Sequence, residues 1–376
     1  MRILIATDKF KGSLTGPEVA ASLAAGLDGH RVDTVPVADG GEGTVDAAID
    51  VGFTEHRATV SGPTGEQVEA RFAVRGGEAV IEMAAASGLD VLPGGTLAPL
   101  TASSRGTGEL IRAALDTGCT RITIGVGGSA NTDGGAGVLV GLGARLQDAA
   151  GTAIADGGAA LADLANIDLS GLDPRVASCE IVLAADVDNP LLGVRGAAAV
   201  FGPQKGATSA DVERLDAALA HFVDVLSTAV PAAADHVAAP GAGAAGGVGF
   251  AALVLGAHRE PGTVVVQRLT DLTAKIAEAD FVITGEGSLD EQSLGGKAPI
   301  GVAKAAIAAG VPVVAVCGRT TLDDTTLREA GFAAVYALSD LEPDVQKSMA
   351  GASGLLRQIG TTINADAERL TQGVTP

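Results

Sequence analysis

The strongest constraint on this chain is a recurring unit: a short apolar run, then a loop dense in Gly, Asp and Lys, then a helix. RILIAT (2–7) runs into DKFKGSL (8–14), and a helix follows at Thr15, where T-G-P-E supplies a capping box with Glu18. VDTVPV (32–37) runs into ADGGEG and a helix near residue 43. Near the other end, FVIT (281–284) leads through TGEGSLDEQSLGGK to a helix over 299–309, then strands VPVVAVCG and AAVYAL and a helical tail over 350–370. Such alternation predicts parallel strands with crossover helices. The middle differs: 57–83 reads as short strands joined by turns, an antiparallel element, followed by helix 104–118, strand 121–126, strand 180–185 and helix 209–228. The fold class is therefore α/β: a Rossmann-like parallel-sheet domain built from both chain ends (1–58 plus 268–376), with an inserted second, mixed α/β domain (59–267) and an active-site cleft between them.

A chain of 376 residues suits about two domains, and with aromatics at 2% its cores must be built from Ala, Val, Leu and Ile. A net charge of −20 without a basic patch argues against nucleic acid and anionic membrane as partners. Cys119, Cys179 and Cys317 are far apart and form no CxxC, which fits a reduced, cytoplasmic setting. MRILIATDKF shows no signal-peptide pattern, and glycines interrupt the uncharged stretch 240–257 too often for a membrane span. Only seven lysines occur, and Lys9, Lys11, Lys205 and Lys297 all lie in Gly-rich or Asp-rich loops, where an acidic protein would gather cations for an anionic ligand.

Six loops carry candidate chemistry. In DKFKGSL, Asp8 follows a strand at the edge where open α/β sheets bind ligands; Asp8 and Lys11 are candidate catalytic residues, with Asp8 or Asp39 next in line as a base after Asp290, and Lys9 and Ser13 would meet phosphate or carboxylate of the substrate. In ADGGEGT, Asp39 stands before glycines that free backbone amides for an anion. Arg105, in SSRGTGE, presents a fork suited to a carboxylate. GVGGSANTDGGAG (125–137) is the strongest nucleotide signal: Gly127, Gly128, Ser129, Asp133, Gly134 and Gly135 form a candidate phosphate nest, although it is neither a P-loop nor GxGxxG. Asp186 and Asp188 in ADVDNP are hard oxygen donors for Mg²⁺, with Asp188 also a substrate contact and Lys205 in FGPQKGA beside them. In TGEGSLDEQSLGGKAP, Gly285 and Glu286 would face the nucleotide, Asp290 would act as base and Lys297 as phosphate clamp. A metal, a polyanion and a carboxylate base are together the equipment of phosphoryl transfer.

The ordered set ATDKFKGSLT, PVADGGEGT, SRGTGELI, GVGGSANTDGGAG, ADVDNPL, FGPQKGA and TGEGSLDEQSLGGKAPIGVA resembles the bacterial glycerate kinase family from residue 1 to about 318. One departure is visible: the family loop often reads GGSATNDGG, and here Asn131 and Thr132 are exchanged. The resemblance implies ATP and Mg²⁺ as cofactors, D-glycerate as substrate, a product with the 2-phosphate favoured over the 3-phosphate, and two intertwined α/β domains. Alternatives are a kinase of another small hydroxy acid and a non-catalytic nucleotide-binding regulator. A nicotinamide dehydrogenase is disfavoured because GxGxxG is missing.

Overall fold

The structure, a computed structural model, describes residues 1–38, 40–295 and 297–372. Among them the strands are, in chain order, β1 (Arg2–Thr7), β2 (Arg31–Thr34), β3 (Thr54–Ser61), β4 (Gln67–Arg75), β5 (Glu78–Glu82), β6 (Arg121–Gly125), β7 (Arg145–Gln147), β8 (Asn166–Asp168), β9 (Glu180–Ala184), β10 (His258–Glu260), β11 (Phe281–Leu289), β12 (Val313–Thr320) and β13 (Ala334–Ala337). The chain forms two compact units, Met1–Asp39 with Thr263–Pro376, and Gly40–Gly262. No helix of the described residues is long and apolar enough to cross a membrane.

The first unit is a wholly parallel sheet in the order β13-β12-β11-β1-β2. β1 shows why an unbroken apolar run was its signature. Ile3 and Ile5 share a core with Val19 and Leu23 of helix Gly16–Ala24 and with Leu356 and Ile363 of helix Ala352–Gln372, whereas Leu4 and Ala6 share one with Ile300 and Ala303 of helix Ala298–Ala309. Both faces are buried, so alternation vanishes. Helix Gly16–Ala24 begins as its sequence requires: Thr15 accepts from the Glu18 amide while Glu18 caps Thr15 in return. A Cβ on Gly26 would lie 2.3 Å from the Arg357 carbonyl, so this glycine lets the two helices of that face approach. From the central pair β1–β11, the chain proceeds to β2 on one side and to β12 and β13 on the other. The carboxyl ends of β1 and β11 therefore flank the topological switch point, where such sheets open a crevice for ligands.

The second unit holds a mixed sheet, β10-β9-β6-β5-β4-β3, in which β5, β6, β9 and β10 are parallel and β3-β4-β5 antiparallel. The antiparallel part is the 57–83 segment. A separate hairpin joins β7 to β8. Residues 40–58, given above to the first domain, belong to this unit. The reason is local: Glu82 at the end of β5 caps helix Thr44–Asp50, Arg71 of β4 pairs with Asp46 at 2.6 Å, and β3 zips onto β4.

Candidate active site

In the first unit, β1 and β11 are in register at Thr7 and Gly285, and the Asp8 amide donates to the Gly285 carbonyl at 2.8 Å. Asp8, just past the end of β1, therefore stands level with Glu286, which is still within β11. The Asp8 carboxylate accepts the Lys9 amide at 2.7 Å. Phe10, only 3% exposed, pins the loop into the core and bridges to Leu14, with a left-handed Gly12 at the turn. That anchoring leaves Lys11 exposed and Lys9 and Asp8 half-buried. On β11, Glu286 is buried at 8% exposure like the residues before it, and the Lys297 ammonium stands 3.9 Å from its carboxylate. The switch point thus gathers Asp8, Lys9, Glu286 and Lys297.

Several expectations for this unit need correction. Gly285 is buried, and a Cβ there would meet the Val316 carbonyl at 2.1 Å, so its lack of a side chain serves strand packing rather than a nucleotide. Ser13 spends its hydroxyl hydrogen on the Met349 carbonyl, 2.9 Å away. Asp290 caps the short helix Glu291–Leu294, accepting from the amides of Gln292 (3.0 Å) and Ser293 (3.3 Å). Burial favours its protonated form, but those amides and the Lys297 charge outweigh it and hold the pKa below the ordinary carboxylate value. A carboxylate held ionised this way is a weaker base than the one assigned above. Asp39 lies outside the described residues.

In the second unit the carboxyl ends of β5, β6 and β9 form another crevice edge. Gly40 packs so closely that a Cβ would meet the Gly262 Cα at 2.3 Å, and a Cβ on Gly127 would lie 3.0 Å from the Gly41 Cα. Glu82 accepts the amides of Gly43 (3.0 Å) and Val45 (2.7 Å) on one oxygen, and burial pushes its pKa up in spite of them. Sequence reading passed over Glu82. Its only signal is an acid closing the apolar strand EAVIE. Asp186 accepts the Gly262 amide at 2.9 Å, and Asp188 forms an ion pair with Arg259 at 2.8 Å. Asp188 is thus a salt-bridge partner before it is a metal or substrate ligand, and no cluster of three or more acidic, His or Cys side chains able to hold a metal occurs among the described residues.

The glycine-rich loop divides in two. Gly127 is half-buried, Gly128 is exposed with a left-handed φ of 69°, and Ser129 is already buried at 8% exposure. From Ala130 to Leu139 every residue is buried. A Cβ on Gly135 would stand 2.4 Å from that of Ala251, and one on Gly134 would stand 2.9 Å from the Phe222 ring. Asp133 is 1% exposed and accepts from Asn131, Gly135, Gly137 and both the amide and hydroxyl of Ser104. Asp133, Gly134 and Gly135 are thus buried framework positions, bonded or packed within the unit. The helix that follows, Ala136–Gly141, is a buried six-residue piece. Lys205, also 1% exposed, points its ammonium at the Asn131 carbonyl and cannot touch substrate. Arg105 offers no empty fork: the Asp156 carboxylate fills it with bonds of 2.8 and 2.7 Å.

The sequence pattern of the glycerate kinase family matches residues 3–368, nearly the whole chain. The chain belongs to that family. It is 47% identical over 347 residues to a glycerate 2-kinase of Escherichia coli K12 and 46% identical over 348 residues to a glycerate kinase of Bacillus subtilis 168, each alignment covering 90% of both chains. The crystal structure of a Salmonella typhimurium LT2 protein, described as a candidate glycerate kinase 2, superposes with a TM-score of 0.83 at 42% identity, over 98% of this chain and 99% of that one. Within this kinase family frame, the expected residues that come together are Asp8, Lys9, Glu286 and Lys297 in one unit, and Gly127, Gly128 and Ser129 in the other.

Proposed function

We propose that this protein transfers the terminal phosphoryl group of ATP to D-glycerate, with Mg²⁺, to give 2-phosphoglycerate in the cytoplasm. One observation carries the reading: in a chain of this family, a base candidate and cations stand together at the β1–β11 switch point. Asp8 takes the proton of the attacking hydroxyl, a role for which it is better suited than the helix-capping Asp290. Lys297, Lys9 and Lys11 neutralise transferring phosphate oxygens and the glycerate carboxylate. Gly127, Gly128 and Ser129 offer amides and a hydroxyl to phosphate or substrate oxygens.

Mg²⁺ commonly takes one or two carboxylates plus phosphate oxygens and water. Glu286 fits that donor set as a buried carboxylate with the Lys297 ammonium beside it. Asp186 and Asp188 fit less well, since Asp188 already pairs with Arg259. When bound, the ion neutralises charge on the nucleotide phosphates. The cytoplasmic assignment is supported by three free cysteines, and the exclusion of nucleic acid by the charge of −20.

Phosphorus NMR of the product made from D-glycerate, ATP and Mg²⁺ tests the reading. A 2-phosphoglycerate resonance is expected. A 3-phosphoglycerate resonance overturns the regiochemistry. Turnover of another hydroxy acid without turnover of D-glycerate overturns the substrate.

A further inference from the structure

The buried half of the glycine-rich loop concentrates features that cost stability. Lys205, in the short turn Pro203–Lys205, buries its ammonium at 1% exposure with the Asn131 main-chain oxygen as its hydrogen-bond acceptor. Burial pulls its pKa down to about 7, against a smaller upward pull from Asp133. Asn131 sends its amide to Asp133 (2.8 Å) and to the Ala245 carbonyl (3.1 Å), while its own side-chain oxygen and the Thr132 hydroxyl are buried without hydrogen-bond partners. Ala245 holds a left-handed φ of 52°, a conformation that costs a non-glycine residue free energy, and Gly246 presses on the Asn131 carbonyl. A packed apolar side chain in place of a buried lysine would stabilise the fold better. Stability alone therefore does not account for the ammonium.

We propose that Lys205 is a positioning residue for the kinase reaction: it fixes the Asn131 carbonyl and, through that buried anchor, the conformation of the Gly127–Ser129 end of the same loop, where Gly128 reaches solvent. The connection is short and covalent. A single residue, Ala130, separates Ser129 from Asn131, and it is buried against Leu92 and Ala102. On its other side the Asn131 side chain reaches Asp133, which holds Ser104 at the start of helix Arg105–Asp116. One ammonium thus sets a loop that leaves β6 and is hydrogen-bonded through Asp133 to that helix start. The inference rests on the reading that Gly127–Ser129 meets phosphate or substrate, so its test includes measurements that need no activity.

The experiment compares wild type with Lys205→Met and Asn131→Ala. Hydrogen exchange of a peptide spanning 125–135 is expected to quicken at least about tenfold in Lys205→Met, with exchange elsewhere in 40–262 unchanged. Equal protection of that peptide overturns the proposal whether or not the chain phosphorylates glycerate. If wild type makes phosphoglycerate, kcat is expected to fall about thirtyfold or more in Lys205→Met while the melting temperature at pH 6 holds or rises, a split that loss of structure does not produce. A folded Lys205→Met with kcat within threefold of wild type also overturns it. The pH dependence of stability confirms that the ammonium is buried in solution. The folded-state affinity for the proton is depressed, so the unfolded chain holds more protons between about pH 7 and the ordinary lysine value of 10.5, and stability rises with pH across that window. Lys205→Met must lack that rise. Should Lys205→Met fail to fold, Asn131→Ala, which cuts the link to Asp133 and Ala245, is expected to show the same faster exchange, and unchanged exchange there overturns the proposal.

Discussion

Both units end parallel strands in loops of Gly, Asp and Lys, yet the loops are built for different ends. At the β1–β11 switch point, Asp8, Lys9 and Lys297 remain at least partly open to solvent, with Lys11 fully so. In the second unit, Asp133 of the loop after β6 and Lys205 of the turn Pro203–Lys205 are 1% exposed and wired into main-chain partners. Identical residue types are thus left open to solvent in one place and built into the scaffold in the other. Burial decides which, because a buried charge must satisfy its partners inside the protein before it can serve a ligand. Substitutions should therefore cost activity in the first unit and stability in the second.

The largest effect is expected from Asp133→Ala. It strips the acceptor from the buried amides of Ser104, Gly135 and Gly137, and three stranded donors at roughly 1.5 kcal/mol each predict a loss of about 4.5 kcal/mol. Urea denaturation measures it. A variant as stable as wild type but inactive would make Asp133 a ligand contact and dissolve the contrast between the units.

Next comes Asp8→Asn, expected to lower kcat about a hundredfold while leaving the melting temperature within a degree or two, since loss of a general base typically costs a factor of about 10²–10⁴. Asp290→Asn should cost less than about tenfold, because the amide oxygen can still accept from Gln292 and Ser293. A reversal of that order would restore Asp290 as the base and move Asp8 to a supporting place.

The order of these effects could not be taken from the sequence, and the reason is specific. The parallel sheet was legible because RILIAT and FVIT are apolar on both faces, and the start of helix Gly16–Ala24 because Thr15 and Glu18 are a local pair. The antiparallel segment was legible from its turns. What failed were judgements about partners distant in the chain: Arg105 meets Asp156, Asp188 meets Arg259, and Ser13 meets Met349. The domain boundary at residue 58 missed for the same reason, as Glu82 captures the amides of Gly43 and Val45 across nearly forty positions of chain. Local pattern tells which residues are able to bind an anion. Whether another side chain has already taken them is a long-range fact.

A smaller effect separates the halves of one loop. Gly135→Ala drives a Cβ to within 2.4 Å of Ala251 at a left-handed φ of 73°, and overpacking of this kind predicts a loss of about 2 kcal/mol. Gly128→Ala has only Ala84 nearby, at 3.3 Å, so the left-handed backbone alone costs about 1 kcal/mol. Gly128→Ala should instead raise KM for ATP or glycerate severalfold, whereas Gly135→Ala should leave KM unchanged in the folded fraction. Equal behaviour of the two variants would mean that the loop does not divide at Ala130.

The smallest effect concerns Glu82, which shares traits with both classes, buried like a framework group yet placed at the carboxyl edge of its sheet. Burial raises its pKa, so the folded protein holds the proton more tightly than the unfolded chain does. Below the ordinary value of 4.5 the acid is neutral in both states and carries no penalty. As pH climbs from there toward the raised folded value, the unfolded chain ionises first, and the contribution of Glu82 to stability falls with rising pH. Glu82→Gln keeps an oxygen to accept from Gly43 and Val45 but has no proton to lose. Its stability curve should therefore be flatter through that window, and at neutral pH it should match or exceed wild type by less than about 1 kcal/mol, the net scale of a single hydrogen-bond change. Chemical denaturation at several pH values from 4 upward reads the difference. If Glu82→Gln keeps the slope of wild type, the carboxylate is better solvated than its burial implies. If it flattens the slope and also lowers kcat, Glu82 belongs with Asp8 among the residues that touch the reaction, and the second unit contributes chemistry as well as framework.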